Sequence, residues 1–260
     1  MLNSRQFVKA LNEEVAAHVA VKHSFLTTVS TRAFSKAAWR GFARQLYPHV
    51  HFFIPYMEEL LLNTFDMNAK LVVGKILLDE YGEDAAGDSH PELFRRFFRA
   101  CQGSADDAVL LSSPLDEATV DLVTSHMRMC RDEEFLVGLG AIGPAHEYAI
   151  TFMFPPIVTG LRLSGFTDEE IEFFILHVEH DVEHASMLDE SIAKFATSEE
   201  TQAAIRRGAM ASLAARDRLW SAMERRMVGI DAGAEPATTD TTVVDLTRNY
   251  KNVPPTFWPA

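Results

Sequence analysis

The chain is predicted to be all-α, a single-domain bundle of about seven to nine helices, and three observations point there. Apolar residues recur every three or four positions almost throughout. No convincing pair of strands is found, because the β-branched runs are short and one of them, 241–246, lies near the C-terminus. The breaks between helical stretches are also short.

The elements follow in order. Apolar residues keep the helical spacing from Phe7 to Phe25. The stretch 35–63 repeats it, with Trp39, Phe42, Leu46, Val50, Phe53 and Met57 on one side, and Ser35 gives it a helix start. Further helices are expected at about 69–81, 90–101, 115–131, 133–154, 168–196 and 199–227. Thr167, before Asp168, Glu169 and Glu170, reads as an N-cap with acidic residues in the first turn. Thr197-Ser198-Glu199 opens the last long helix in the same way. Breaks fall at 81–89, 103–107 and 164–167, and Pro155-Pro156 is expected to kink or restart a helix. Residues 1–228 form the bundle and 229–260 a C-terminal tail, polar and small in GIDAGAEPATTDTT. Phe257 and Trp258 at its end leave two outcomes open, a tail wrapped on the body or a loose one.

Bulk properties narrow the partners. With 260 residues and 47% hydrophobic content, the chain can bury a full core unaided. A net charge of −13 repels phosphate backbones and anionic membranes, so neither nucleic acid nor membrane is expected as a partner. Cys101 and Cys130 form no CxxC pair, which argues against a zinc ribbon or a dithiol redox site. The N-terminus lacks a signal-peptide core, and no window reaches the ~20 apolar residues of a membrane span. A cytoplasmic protein is the expectation.

The informative stretch is His177-Val-Glu-His180-Asp181-Val-Glu-His184. At about 100° per residue, His177, Asp181 and His184 fall within an arc of roughly 60° on one helix face. His180 sits at the edge of that arc, while Glu179 and Glu183 face away. Phe173, Phe174, Leu176 and Leu188 mark the helix as buried. Buried histidines and carboxylates need either hydrogen-bond partners or a metal. A polar network, with Asp181 holding both histidines, is one reading and a metal site the other.

Three further residues fit the second reading. Glu80 ends the apolar helix 71–80, and His90 opens the next, just before Pro91. Glu147 lies in an almost wholly apolar segment, 135–154, where Gly138, Gly140, Ala141, Gly143 and Ala145 let neighbouring helices approach closely. His146 points elsewhere and reads as structural. Three histidines and three carboxylates without thiolate suit iron or manganese better than structural zinc. Paired irons bridged by carboxylates are built in helix-bundle cores. The chain contains no Glu-x-x-His, so the ferritin-type arrangement is excluded.

These residues resemble the heme-oxygenase-like diiron oxidases, within the broader group of thiaminase II and pyrroloquinoline-quinone synthase. The resemblance spans about residues 20–225. It runs through His23-Ser-Phe-Leu, Phe42-Ala-Arg-Gln-Leu-Tyr-Pro-His-Val, Asp79-Glu80-Tyr-Gly-Glu, His90-Pro-Glu-Leu and Gly160-Leu-Arg-Leu-Ser-Gly-Phe to His177-x3-Asp181-x2-His184. It implies a heme-oxygenase-like bundle in which Glu80, His90, Glu147, His177, Asp181 and His184 bind two Fe ions, as Fe/Fe or Mn/Fe. His180 is an extra histidine inside the motif.

The resemblance further implies that O2 is a co-substrate and that an external reductant supplies electrons, since the chain has no GxGxxG. The substrate is expected to be a small molecule, an amino acid or amino-acid-derived metabolite. The reaction would be N-oxygenation, C–C cleavage, desaturation or decarboxylation. Gln45, Tyr56 and Arg162 are candidate substrate contacts, with Tyr47 and His49 also on the second helix. A homodimer is expected. The competing readings are a metal-independent enzyme of the thiaminase II or quinone-synthase kind, and a non-enzymatic helical binding protein.

Overall fold

In the computed structural model, residues 2–83, 85–102 and 107–249 are described, and all their regular structure is helical, as expected. Phe257 and Trp258 lie outside these residues, as does the break at 103–107 apart from Asp107. The helices are α1 (Ser4–Ala17), α2 (Ser24–Thr31), α3 (Lys36–Leu62), α4 (Met67–Glu80), α5 (His90–Ala100) and α6 (Asp107–Leu111). They continue as α7 (Glu117–Arg131), α8 (Phe135–Ile142), α9 (Ala149–Leu163), α10 (Glu172–Phe195), α11 (Glu199–Asp231) and α12 (Val243–Asn249). No helix among the described residues is long and apolar enough to cross a membrane.

The caps explain most boundaries. Ser35 accepts from the Ala38 N–H and starts α3, and Ser198 accepts from Thr201 and starts α11. Thr167 and Glu170 exchange the expected capping contacts, but they close a turn and α10 begins only at Glu172. The helix expected over 133–154 is divided. A π-helical turn, Gly143–Tyr148, separates α8 from α9, and α9 runs on through Pro155 and Pro156.

α3 is the central element. Its residues from Ala38 to Leu60 are largely buried, and it packs against α4, α5, α7 and α11. α8 and α11 approach most closely, because two glycines face backbone. A Cβ on Gly140 would stand 2.0 Å from the Ile205 carbonyl oxygen, and one on Gly208 1.9 Å from that of Val137. α11 continues past residue 228 to Asp231, and the segment beyond it returns to the body. Leu115 pairs with Thr239 and Thr241 through backbone hydrogen bonds, and Val243 and Leu246 are buried.

α10 turns one face into the bundle, against α9, the π turn, α4 and α5, and the other to solvent. One polar stripe of α10 therefore faces the C-terminus of α4, the N-terminus of α5 and the π turn.

Candidate metal centre

The six residues singled out in the sequence come together as two triads. Glu80, His90 and His177 form one and Glu147, Asp181 and His184 the other, and within each the potential ligand atoms lie within 4.8 Å of one another. All six are buried, none more than 6% exposed, so water does not solvate their charges.

Local structure sets each side chain. Glu80 is the last residue of α4, and the chain turns at once through Gly82, whose φ of +88° suits glycine. A Cβ there would meet the Ala85 carbonyl oxygen at 2.5 Å. Tyr81 donates to Glu58 of α3 at 2.7 Å, which pins the end of α4. His90 opens α5, with Pro91 beside it in the first turn, and its Nδ1 lies 2.9 Å from Glu80 Oε2. Glu147 is carried by the π turn, a form of helix frequent at functional sites. His177, Asp181 and His184 form the stripe on α10, while Glu179 and Glu183 are exposed.

The tautomer of His177 follows from its bond. Its Nδ1 donates to the Phe173 carbonyl at 2.6 Å, which leaves Nε2 as the lone-pair nitrogen. Burial, then the neighbouring His90, pulls this imidazole well below its ordinary pKa. His184 turns Nδ1 toward Glu147, 3.3 Å away, and Asp181, 3.9 Å away.

The electrostatics fit a cation. Burial raises Asp181 well above the ordinary carboxylate range, and Glu147, Glu80 and Asp79 raise it further. Glu147 is also raised by burial, against the His184 hydrogen bond that lowers it. Burial works to lower His90 and His184, yet nearby carboxylates raise both, chiefly Glu80 for His90 and Glu147 for His184. Asp181 Oδ2 is buried without a hydrogen-bond partner. Four carboxylates around three imidazoles hold negative charge that metal-free protein must neutralise with protons, and that divalent cations neutralise instead.

Asp79 was not among the candidate residues of the sequence, although it stands in the Asp79-Glu80-Tyr-Gly-Glu segment. Its carboxylate lies 3.6 Å from His90 Nε2 and 3.4 Å from His184 Nε2, and also 3.4 Å from His180 Nδ1. His180 itself is exposed. The acid pair Asp79-Glu80 just before a glycine turn was the available signal.

None of the three candidate substrate contacts belongs to the triads. Gln45 is spent between helices: its amide donates to the Pro114 carbonyl, and its oxygen accepts from Asp116 N–H and Thr119. Tyr56 is buried against His49 and His126. Arg162 is exposed and clasped by Asp168 at 2.8 and 3.0 Å. His146, read as structural, is bonded to Arg216 and also lines a cavity beside the first triad. Its other walls include Leu46, His49, Phe53, Phe154, Glu80 and His177. Cys101 and Cys130 are fully buried, and burial pushes both thiols up, so neither is a ready nucleophile.

Known proteins are similar to this chain in sequence and in fold. A family described as iron-containing redox enzymes matches residues 40–217. A 4-aminobenzoate synthase of Chlamydia pneumoniae is 25% identical over 181 residues, covering 69% of this chain and 78% of that protein. A 4-chloro-allylglycine synthase of Streptantibioticus cattleyicolor is 25% identical over 226 residues, covering 87% and 85%. A solved domain of unknown function with a heme oxygenase-like fold, from Shewanella denitrificans, superposes with a TM-score of 0.69 at 17% identity, covering 90% of this chain and 96% of that one.

Proposed function

Since the chain belongs to the iron-containing redox enzymes, we propose that it is a non-heme diiron oxidase or oxygenase that uses O2 to oxidise a small amino-acid-derived metabolite. The observation that carries this reading is the pair of adjacent, buried triads of mixed histidine and carboxylate ligands. Glu80, His90 and His177 would hold one iron, and Glu147, Asp181 and His184 the other. Two irons so held supply electrons to O2 and oxidising power toward a bound substrate.

The residues of this chain then have separate tasks. The Phe173 carbonyl fixes the His177 tautomer, so that Nε2 is presented to metal. The Asp79 carboxylate lies 3.6 Å from His90 Nε2 and 3.4 Å from His184 Nε2, a charge behind both rings whose Nδ1 atoms face the two triads. Phe154 and Phe173 pack around His177 at tilted angles and keep water from its side of the site. Electrons for repeated turnover come from an external donor.

The names of the relatives support the substrate class. One is named for making 4-chloro-allylglycine, an amino acid, and another for making 4-aminobenzoate, an amino-substituted carboxylate. The buried thiols weigh against a cysteine-dependent, metal-free reaction.

An O2-uptake screen of the iron-reconstituted protein tests the reading, with amino acids in one arm and fatty acids in the other. Substrate-dependent uptake that chelation abolishes is the expected result. Turnover that survives complete removal of metal contradicts it.

A further inference from the structure

The six triad residues are buried, so a cation reaches them only through a contact that opens to solvent. The inner side of the centre is closed. The cavity that touches Glu80 and His177 holds about 20 Å³, room for about one water, between Leu46, Val50, Phe53 and Phe154. Apolar walls offer no ligand in place of the waters that a divalent ion sheds.

The outer side differs. On the seam of α4 and α10 the side chain of Asp79 is 13% exposed and that of His180 44%. Both Asp79 oxygens reach His180 Nδ1, at 3.4 and 3.5 Å. Oδ2 also lies 3.6 Å from His90 Nε2 and 3.4 Å from His184 Nε2. One carboxylate thus joins an exposed histidine to one histidine of each triad.

The spacing suits a cation held between these groups. An N–H···O bond closes to ~2.7–3.2 Å, and all four separations are longer. Two ligands ~2.1 Å from one ion stand roughly 3.0–3.4 Å apart, nearer to the distances found. The surroundings draw cations to the same point. Glu179 lies beside His180 and Glu183 one turn beyond it, both exposed, in a chain of net charge −13. Lys75, one turn before Asp79 on α4, is the opposing charge.

We propose that His180 and Asp79 form the entry site for iron. They take a divalent ion from solvent in exchange for some of its waters and pass it between α4 and α10 to the triads. Only ligands are exchanged, and no electron moves. This gives a task to His180, the histidine of the α10 motif that belongs to neither triad. The proposal rests on the function proposed above and adds the route by which its centre is loaded.

The rate of loading tests it. Metal-free protein is mixed anaerobically with Fe(II), samples are quenched with a chromogenic Fe(II) chelator, and the final stoichiometry is measured separately. In His180→Ala the initial rate should fall at least ~10-fold, the low end of what a steering cleft adds to an on-rate. Final uptake should match wild type. His180→Asp restores a ligand at the surface and should recover most of the rate, which a histidine that merely packs α10 would not allow. A His180→Ala rate equal to wild type overturns the entry site, as does a His180→Asp rate as low as that of alanine. A lowered final stoichiometry in His180→Ala also overturns it, by making His180 a ligand of the centre. Wild-type protein that takes up no iron removes the diiron reading and the entry site together. Full uptake at one rate by all three proteins removes the entry site alone.

Discussion

Asp79 Oδ2 lies 3.4 Å from His184 Nε2, while the Nδ1 of the same ring faces Glu147 and Asp181. His90 repeats the arrangement, with Nε2 toward Asp79 and Nδ1 toward Glu80. One carboxylate therefore stands behind one histidine of each triad. Asp79→Asn keeps the shape and removes the charge. Iron affinity should fall about 10- to 100-fold, the usual effect of losing a carboxylate behind a ligating histidine. Anaerobic Fe(II) titration against a competing chelator measures it, with helical content checked by circular dichroism. Unchanged affinity would make Asp79 an ordinary helix-end charge.

Asp189 gives a pH-dependent test away from the triads. Burial raises its carboxyl to about 6, although Asn12 donates to it at 2.7 Å. The folded pKa thus lies above the unfolded one. The contribution to stability is complete below the unfolded pKa near 4 and is lost as pH rises through about 6. Asp189→Asn escapes this loss. Its melting temperature relative to wild type should increase from pH 4.5 to pH 7.5. A difference that stays flat or reverses over that range would show that Asp189 titrates normally.

The contact between α8 and α11 tolerates no side chain. Gly208→Ala must push α8 from α11, because the new Cβ would meet Val137 backbone. The expected cost is about 1–3 kcal/mol, with each kcal/mol lowering Tm by roughly 2–4 °C in a chain of this size. Gly74→Ala in α4 is the control, since nothing lies within 4 Å of its Cβ position. It should be neutral or stabilising, because alanine suits a helix interior better than glycine. Equal melting temperatures for the two variants would contradict the close packing.

The fold was legible in the sequence because helical periodicity persists across nearly every element. The α10 stripe was legible for the same reason: a fixed rotation per residue puts His177, Asp181 and His184 on one face. Gly140 also announced a close helix approach, which the Ile205 backbone provides.

Other features depend on departures from regularity or on distant neighbours. The π turn at Gly143–Tyr148 breaks the helical phase, and both His146 and Glu147 are buried there. Helical spacing alone had turned His146 away from the site. Arg162 and Gln45 were ambiguous because a polar side chain does not reveal its partner. Asp168 holds one, and the 114–119 segment holds the other. Arg216 did carry a signal. It shares the spacing of Leu213, Leu219 and Trp220, all buried, so a charge was visible on the apolar face of α11.

The most direct test of the diiron reading is anaerobic Fe(II) titration of the wild-type chain beside Asp181→Asn. Wild type should take up about two irons per chain and the variant about one, with native helical content in both, as expected for two carboxylate-bridged ions in a bundle core. A wild-type chain that saturates with one iron or none, or an Asp181→Asn variant that still binds two with wild-type affinity, would contradict it.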